Sequence, residues 1–382
     1  MSAIAAQYNL DVQPIAQFGA RPIYRLRTQN NAPIAQVAAQ LQSDPAQRIA
    51  FAEPNYIIGS PVSSSLPWSL GGSWSIGGSW SIGSSVKGYS RQWMKTKIGL
   101  PEAHEITRGA GIKIAVLDTG IDPNHPIFAG KLLPGYDFVD NDNDPTEVGT
   151  FLQGAYGHGT HVAGVITMVA PEAKIMPIRV LDENGVGTIW RLAQGLYFAA
   201  DPDGDGDNDC GVDVINLSLG TTQRTNLVKK LVEAATNDGT LPDDEDFPNV
   251  IHPGIVIVAA AGNTGNSTQI FPAAEHDVPG LIAVGASTSS DSIADFSTRG
   301  EWVELMAPGE GIVSAVPNGR YATWRGTSMS APIVSGIAAL VRSKYSSLKP
   351  NQIFEQIKHS SIYVNGAIHR RVDAARAVTV NP

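Results

Sequence analysis

The sequence predicts an α/β fold, with a mostly parallel central sheet covered by helices on both faces. Two observations carry this prediction. From about residue 89 onward, short apolar runs bounded by Gly, Pro, Asp or Asn alternate with helical patterns. The runs are continuous and rich in Val and Ile, which is typical of strands buried on both faces. The predicted strands are 112–118, 174–181, 212–220, 254–262 and 281–286, and the clearest helical patterns are 188–200 and 226–237.

The composition excludes several classes of function. The formal net charge is −9, from 27 Lys and Arg against 36 Asp and Glu, which argues against nucleic acid and anionic membranes as partners. The single cysteine, Cys210, excludes an intramolecular disulfide framework and a Cys-based metal site. No apolar run approaches the roughly 18 residues of a membrane span. We therefore expect a globular protein without nucleic-acid or membrane partners, and a monomer.

The composition also divides the chain into three zones. Residues 1–59 mix apolar stretches with polar punctuation, and residues 60–88 consist almost entirely of Ser, Gly and regularly spaced aromatic residues. Such a composition is typical of a flexible linker. Residues 89–382 carry the strand and helix pattern, so they are expected to form the main domain.

Three polar residues stand where chemistry is expected in a parallel sheet, beyond the carboxyl ends of the strands. Asp118 directly follows the run IKIAVL, and His158 lies in GHGTHVAG at the start of a helical pattern. Ser328, in GTSMSAP, begins an apolar helix whose N–H groups and dipole could stabilise an oxyanion. Taken singly, each has an ordinary interpretation as a helix cap or a loop residue. His158 and His161 lack the H-E-x-x-H pattern of a zinc site.

Together these residues and their surroundings resemble the subtilase family of subtilisin-like serine proteases. The matching blocks, in the family's order, are VLDTGID, GHGTHVAG, VINLSLG, VAAAGN, STRG…MAPG and GTSMSAP. The resemblance covers residues 89–382 and implies a subtilisin-like fold and serine endopeptidase activity. It implies that Ser328 is the nucleophile, His158 the general base and Asp118 the group that orients the imidazolium. It also implies that Asn263 donates to the oxyanion.

The resemblance further implies polypeptide substrates, bound as an extended strand between two backbone edges with broad specificity. One edge is expected at Ser218, Leu219 and Gly220, and the opposite one at Gly185 and Gly187. Ile270 aligns where many relatives carry a small residue near the floor of the primary specificity pocket. It predicts a shallower apolar pocket that prefers medium-sized side chains at P1, the residue before the scissile bond.

Two acidic loops suggest structural calcium, because clustered carboxylates repel one another unless a cation neutralises them. The first contains Asp137, Asp140, Asp142 and Asp144, and some subtilases bind calcium in a loop of similar spacing. The second contains Asp201, Asp203, Asp205, Asp207 and Asp209, but it lacks the Glu at the twelfth position of an EF-hand loop. Simply solvated loops remain an alternative. The calcium loop that follows the His helix in subtilisin is missing, and no organic cofactor is expected.

The N-terminal zone resembles the back part of a subtilase propeptide. Its expected order is the tail of a helix, two strands and a second helix, so the resemblance implies that residues 1–59 form a small α+β domain that is N-terminally incomplete and precedes the main domain. The resemblance implies that this domain assists folding and occupies the cleft as an inhibitor until it is cut within residues 60–88. An unrelated small domain is the alternative.

Three other functions were weighed. A catalytically silent member that only binds peptides would need a damaged geometry that the sequence does not show. A single-chain aspartic protease is excluded because only one D-T-G is present. A specialised intracellular maturation protease with one peptide partner remains open. The family resemblance favours secretion, but the first twenty residues do not read as a signal peptide, so a cytoplasmic location stays open as well.

Overall fold

The computed structural model describes residues 2–19, 23–59, 84–151, 154–204, 211–237, 254–363 and 370–381. The expected linker and the acidic stretch 238–254 therefore lie almost entirely outside the described residues. The helices are α1 Ser2–Gln7, α2 Ile34–Gln42, α3 Val86–Ser90, α4 Trp93–Lys97, α5 Leu100–His104, α6 His158–Val169, α7 Ile189–Ala200, α8 Asn226–Thr236, α9 Thr327–Lys344, α10 Pro350–Ser360 and α11 Ala374–Thr379.

The strands are β1 Ala16–Phe18, β2 Ile23–Arg25, β3 Ile57–Gly59, β4 Lys113–Asp118, β5 Tyr136–Asp137, β6 Lys174–Arg179, β7 Val186–Thr188, β8 Val214–Leu217, β9 Val256–Ala260, β10 Leu281–Ser287, β11 Leu305–Pro308, β12 Ile312–Val316, β13 Arg320–Trp324, β14 Ile362–Tyr363 and β15 Arg370–Arg371. Among the described helices, none has both the length and the apolar character needed to cross a bilayer.

The centre of the molecule is a nine-stranded sheet with the order β14-β15-β11-β10-β9-β8-β4-β6-β5. All neighbouring strands pair in parallel except β14 and β15 at one edge. The five strands that the sequence predicts are all in this sheet, each within a residue or a few of its expected bounds. The predicted fold class is therefore confirmed for the main domain.

Helices cover both faces of the sheet, which explains why the strands read as continuous apolar runs. In β4, Ile114 and Val116 join the core beneath α6 and α9. The alternate residues Ala115 and Leu117 join the core on the opposite face, beneath α7 and α8. Because successive side chains of a strand point to opposite faces, both sets must be apolar.

Two buried helices, α6 and α9, pack against each other under the sheet and carry candidate site residues at their N-terminal ends. Their close approach depends on glycine. A Cβ atom at Gly336 of α9 would lie 2.6 Å from the Cβ of Val169 in α6. Gly164 allows α6 to approach β12 in the same way, since a Cβ atom there would lie 2.3 Å from the Oγ of Ser314. The packing of α6 against α9 therefore fixes the relative position of His158 and Ser328.

The N-terminal segment, residues 2–59, has a small core of its own. In it, α1 and α2 pack together through Ala5, Tyr8, Leu10, Val37 and Leu41. β1 and β2 form an antiparallel pair, and Phe18 of β1 contacts α7. Its ring lies 4.9 Å from that of Trp190 and 5.7 Å from that of Tyr197. Aromatic contacts thus join this segment to the main domain.

Candidate active site

Asp118 and His158 form a buried pair at the carboxyl edge of the sheet. Nδ1 of His158 lies 2.6 Å from Oδ1 of Asp118, and neither side chain is exposed. The pairing requires the tautomer in which Nδ1–H donates to the carboxylate, which leaves Nε2 as the basic atom. Nε2 has no hydrogen-bond partner among the described residues. An imidazole held in this way can accept a proton from a neighbouring hydroxyl.

Glycine allows the chain to bring this pair together. Gly157, which precedes α6, has a φ of 95°, in the left-handed region. Gly159 passes so close to β4 that a Cβ atom would lie 2.1 Å from the carbonyl oxygen of Gly120. The glycines on both sides of His158 are thus needed for the helix to begin directly beside Asp118.

Ser328 is the second residue of α9 and is 2 % exposed. Its hydroxyl donates to the backbone oxygen of Ser218 at 3.3 Å. Trp324, four residues earlier, lies beside His158, with ring centroids 5.8 Å apart. The serine hydroxyl and the imidazole are therefore in the same part of the fold. A rotation about the Cα–Cβ bond of Ser328 is what would turn its hydroxyl away from Ser218.

Asn263 follows β9 and points its amide group at the same place. Its Oδ1 accepts from the backbone N–H of Thr327 at 2.9 Å and from the Thr327 hydroxyl at 3.1 Å. These two bonds fix which end of the amide faces outward. Its Nδ2 is buried and has no partner among the described residues. A free N–H donor in this position can stabilise negative charge on a carbonyl oxygen.

Thr327 links Asn263 to the preceding backbone and was not singled out from the sequence. Its hydroxyl accepts from the N–H of Gly262 at 3.0 Å and donates to Oδ1 of Asn263. The hydroxyl therefore fixes the amide orientation through a chain of two hydrogen bonds. In the sequence, only the position of Thr327 directly before Ser328 could have indicated this role.

Trp324 and His161 form a second feature that the sequence did not reveal. Their rings stack in parallel, with centroids 4.7 Å apart and an interplanar angle of 5°. Burial, together with the charge of His158, lowers the pKa of His161 to about 3, so His161 stays neutral. Its Nε2–H donates to the carbonyl of Ala322 at 3.3 Å. His161 thus serves as packing for Trp324, whose ring also faces His158.

The two predicted substrate edges hold a segment of the chain itself. β3, residues 57–59, pairs antiparallel with β7, with Ile58 opposite Gly187 and Gly59 opposite Val186. On its other side, Gly59 exchanges two hydrogen bonds of 3.1 Å with Gly220. Gly220 of one predicted edge and Gly187 of the other therefore lie on opposite sides of one extended strand.

Residues just before β3 bind the N-termini of two helices. The carboxylate of Glu53 accepts from the N–H groups of Asn226 and Leu227, at 2.8 and 3.0 Å, where α8 begins. Asn55 accepts from the N–H of Trp190 at 2.9 Å, near the start of α7. These contacts satisfy helix N–H groups that have no partner within the helix.

Ile270 lies behind the Gly220 edge and is 1 % exposed. A Cβ atom at Gly220 would lie 2.5 Å from Cγ2 of Ile270, and one at Gly262 would lie 2.7 Å from Cγ1. The isoleucine thus fills the space between the substrate edge and the Asn263 turn.

The first acidic loop is partly neutralised by a buried arginine. Nη1 of Arg179 lies 2.6 Å from Oδ2 of Asp137 and 2.5 Å from Oδ2 of Asp140. The other oxygen of Asp137 accepts backbone N–H groups. Asp142 and Asp144 accept N–H groups within the loop. Among the described residues, no three acidic, His or Cys side chains converge to hold a metal ion.

The second acidic loop is described only at its start. Oδ1 of the buried Asp201 accepts from the N–H of Gly204 at 2.9 Å. Asp203 is described but is not part of a converging acidic cluster. The remaining candidates lie outside the described residues: Asp205, Asp207 and Asp209.

An α/β fold with a buried carboxylate–imidazole pair near a serine at a helix N-terminus is typical of serine hydrolases. Comparison with known proteins narrows this class. Residues 109–377 match the subtilase family. The chain is 42% identical over 253 residues to the thermophilic serine proteinase of Bacillus sp. (strain AK1), a match over 63% of this chain and 55% of that protein. It is 40% identical over 265 residues to thermitase from Thermoactinomyces vulgaris, covering 67% of this chain and 83% of thermitase.

Solved structures agree with this family. A cold adapted subtilisin-like serine proteinase matches with a TM-score of 0.56 and 33% identity, over 70% of this chain and 90% of that one. A protease from Pseudoalteromonas arctica PAMC 21717 matches with a TM-score of 0.63 and 28% identity, over 75% of this chain and 96% of that one. The chain belongs to the subtilase family of serine endopeptidases. The alignment spans little more than half of the Bacillus proteinase.

Proposed function

We propose that this chain is a serine endopeptidase in which Ser328 attacks the carbonyl carbon of a peptide bond. Nε2 of His158 takes the proton from the serine hydroxyl as the bond to carbon forms. Asp118 stabilises the imidazolium that results. The carbonyl oxygen becomes an oxyanion and receives hydrogen bonds from Nδ2 of Asn263 and from the N–H of Ser328.

The second half of the reaction uses the same groups. The imidazolium gives its proton to the leaving amine, the C–N bond breaks and an acyl-enzyme remains on Ser328. Water then loses a proton to His158, attacks the ester and releases the new carboxyl end. The 2.6 Å contact between the buried Asp118 and His158, with Nε2 left without a partner among the described residues, is the observation that carries this proposal.

The chain is proposed to be a zymogen whose N-terminal segment blocks the cleft. The strand of residues 57–59 between the two edges supports this, because a substrate strand would need the same backbone groups. The capping of α8 by Glu53 and of α7 by Asn55 supports a specific docked state. Cleavage is expected within residues 60–88, as the composition of that stretch suggests.

Mass spectrometry of the full chain beside a Ser328→Ala variant tests both proposals. The wild type should shorten within residues 60–88, and the variant should stay whole. A fluorophosphonate should label the wild type alone. Two intact chains with a labelled wild type would mean that Ser328 is reactive but that another protease performs the maturation. A wild type that neither shortens nor takes up the label would refute the endopeptidase proposal and favour a silent, peptide-binding member of the family.

A preference for medium-sized apolar residues at P1 is proposed from the position of Ile270. Its side chain occupies space that a glycine would leave open between Gly220 and Gly262. A peptide library should show Leu or Met favoured over Phe and Tyr. Strong cleavage after aromatic residues would contradict the assignment of Ile270 to the pocket floor.

We separately propose structural calcium at the first acidic loop. The family resemblance favours it, whereas the ion pairs of Arg179 with Asp137 and Asp140 already supply positive charge to the first loop. If calcium binds there, adding it should raise the melting temperature of the wild type but not of Asp142→Asn. Equal melting temperatures with calcium and with a chelator would exclude a stabilising calcium site.

A further inference from the structure

Glu147 is a buried carboxylate beside the proposed catalytic pair, and no step of the mechanism above uses it. It is 7 % exposed and lies in the loop between β5 and α6. Its backbone N–H donates to the carbonyl of Ile121 at 2.9 Å, so the loop is tied to the chain just beyond β4. A buried charge without a role is costly, which makes its contacts informative.

The carboxylate of Glu147 binds groups on both structural elements that carry the pair. Oε1 accepts from the hydroxyl of Thr119, the residue after Asp118, at 2.5 Å, and from the N–H of Gly157, the residue before His158, at 2.7 Å. Oε2 accepts from the hydroxyl of Thr160 and from its N–H. One carboxylate therefore joins the end of β4 to the first turn of α6.

The direction of these hydrogen bonds is fixed. The Thr119 hydroxyl accepts from the N–H of Gly159 at 2.9 Å, and the Thr160 hydroxyl accepts from the N–H of Asp122 at 2.9 Å. Each hydroxyl must then donate its only hydrogen to Glu147. Every partner of the carboxylate is a donor, so the arrangement is complete only when Glu147 is ionised.

We propose that Glu147 is a positioning residue, which holds the His158 end of α6 against the Asp118 end of β4 so that the imidazole and carboxylate keep their contact. The inference depends on the proposed catalytic roles of Asp118 and His158. In one chain of hydrogen bonds, the N–H of Gly159 in α6 binds the hydroxyl of Thr119, just after β4, which donates to Glu147. In the other, the N–H of Asp122, also after β4, binds the hydroxyl of Thr160 in α6, which donates to Glu147. Thr119 and Thr160 are therefore part of the same hydrogen-bond network as Glu147.

The surroundings of Glu147 favour a change of its protonation state near neutral pH. Burial, with a smaller contribution from the charge of Asp118, raises the pKa of Glu147 to about 7, against the hydrogen bonds that lower it. Burial, with a smaller contribution from the charge of Glu147, raises the pKa of the nearby Tyr156, which stays neutral. Protonation of Glu147 would replace an acceptor by a donor and break one of the hydroxyl contacts.

The test uses the full chain with Glu147→Gln and, as a matched control, Glu172→Gln on the surface, where Glu172 pairs with Arg108. Active sites are titrated with a fluorophosphonate, so that turnover is counted per folded, reactive enzyme. Glu147→Gln should lower kcat by about tenfold with KM nearly unchanged, because the substrate edges are untouched. The acid limb of its pH profile should also move, whereas Glu172→Gln should match the wild type.

A second readout needs no turnover. In a Ser328→Ala background, the proton of His158 Nδ1 that faces Asp118 should give a downfield signal in the proton NMR spectrum. Glu147→Gln should shift or broaden this signal, and this result stands even if the endopeptidase proposal fails.

Thr160→Val and Thr160→Ser test the same proposal if Glu147→Gln fails to fold. Valine removes the hydroxyl at similar volume and should reproduce the loss, while serine should restore kcat and the signal. Wild-type kcat, pH profile and NMR signal in both Glu147→Gln and Thr160→Val would overturn the proposal. The proposal would also be overturned if these variants only reduced the amount of folded protein and left kcat per titrated active site, the pH profile and the NMR signal as in the wild type.

Discussion

Removal of the Thr327 hydroxyl tests how the side chain of Asn263, the proposed oxyanion donor, is held in place. Thr327→Val keeps the shape of the side chain but deletes two hydrogen bonds at once. The N–H of Gly262 loses its acceptor, and Oδ1 of Asn263 loses one of its two donors. The remaining donor to Asn263 is the N–H of Thr327 at 2.9 Å.

The structure allows the size of both effects to be estimated. A buried N–H left without a partner costs about 1–3 kcal/mol, so the free energy of unfolding should fall by that order. The amide keeps one of its two donors and is therefore loosened rather than lost. We expect kcat to fall about tenfold, which corresponds to about 1.4 kcal/mol of transition-state stabilisation, with KM unchanged.

The assay compares Thr327→Val with Thr327→Ser, which keeps the hydroxyl, using a chromogenic peptide and titrated active sites. Urea unfolding of the same variants in a Ser328→Ala background gives the stability change without autolysis. Asn263→Ala removes the amide donor completely, and its fall in kcat is the reference with which the fall in Thr327→Val is compared. If Thr327→Val turns over as fast as the wild type while Asn263→Ala is strongly impaired, the hydroxyl does not orient the amide.

Three further predictions follow from contacts described above. Ile270→Gly should open the space behind Gly220 and shift cleavage toward Phe and Tyr at P1 in a peptide library; an unchanged preference would place the pocket floor elsewhere. Glu53→Gln should leave one helix N–H of α8 without a good acceptor, so that peptidase activity appears sooner after processing; an unchanged lag would show that this cap does not limit release. The ionised form of Glu147 accepts all four hydrogen bonds, but burial makes ionisation cost more in the folded chain than in the unfolded one, which raises the pKa from 4.5 to about 7. The free energy of unfolding should therefore fall as pH rises from 4.5 to about 7, and Glu147→Gln should remove this part of the slope in denaturation measured between pH 4.5 and 8.

The sequence predicted the sheet because its signal is local. Each central strand is apolar on both faces, and this is readable within a single run such as residues 112–118. Four of the five observed strands are shorter than the predicted runs, and β10 is one residue longer. The structure also brings Asp118 and His158 together and sets Asn263 beside Thr327. Their catalytic roles, like those of the substrate edges, remain proposals.

The supporting contacts could not be read from the sequence because they join side chains far apart in the chain. Glu147 stands in an unremarkable polar stretch, and its importance comes only from Thr119 and Thr160 lying on either side of it. Likewise, the acidic loop gives no hint that Arg179 lies beneath Asp137. A pattern of like charges shows that neutralisation is needed, but not whether a metal ion or a guanidinium supplies it.

The strand of residues 57–59 between the two edges has a consequence for the concentration dependence of activity. As long as the chain is continuous, this strand is a tethered occupant, and its effective concentration at the cleft does not change when the protein is diluted. Once the tether is cut, occupancy becomes an ordinary bimolecular equilibrium. If the chain is a zymogen that is cut as proposed, dilution should release activity from cut molecules while leaving uncut ones blocked.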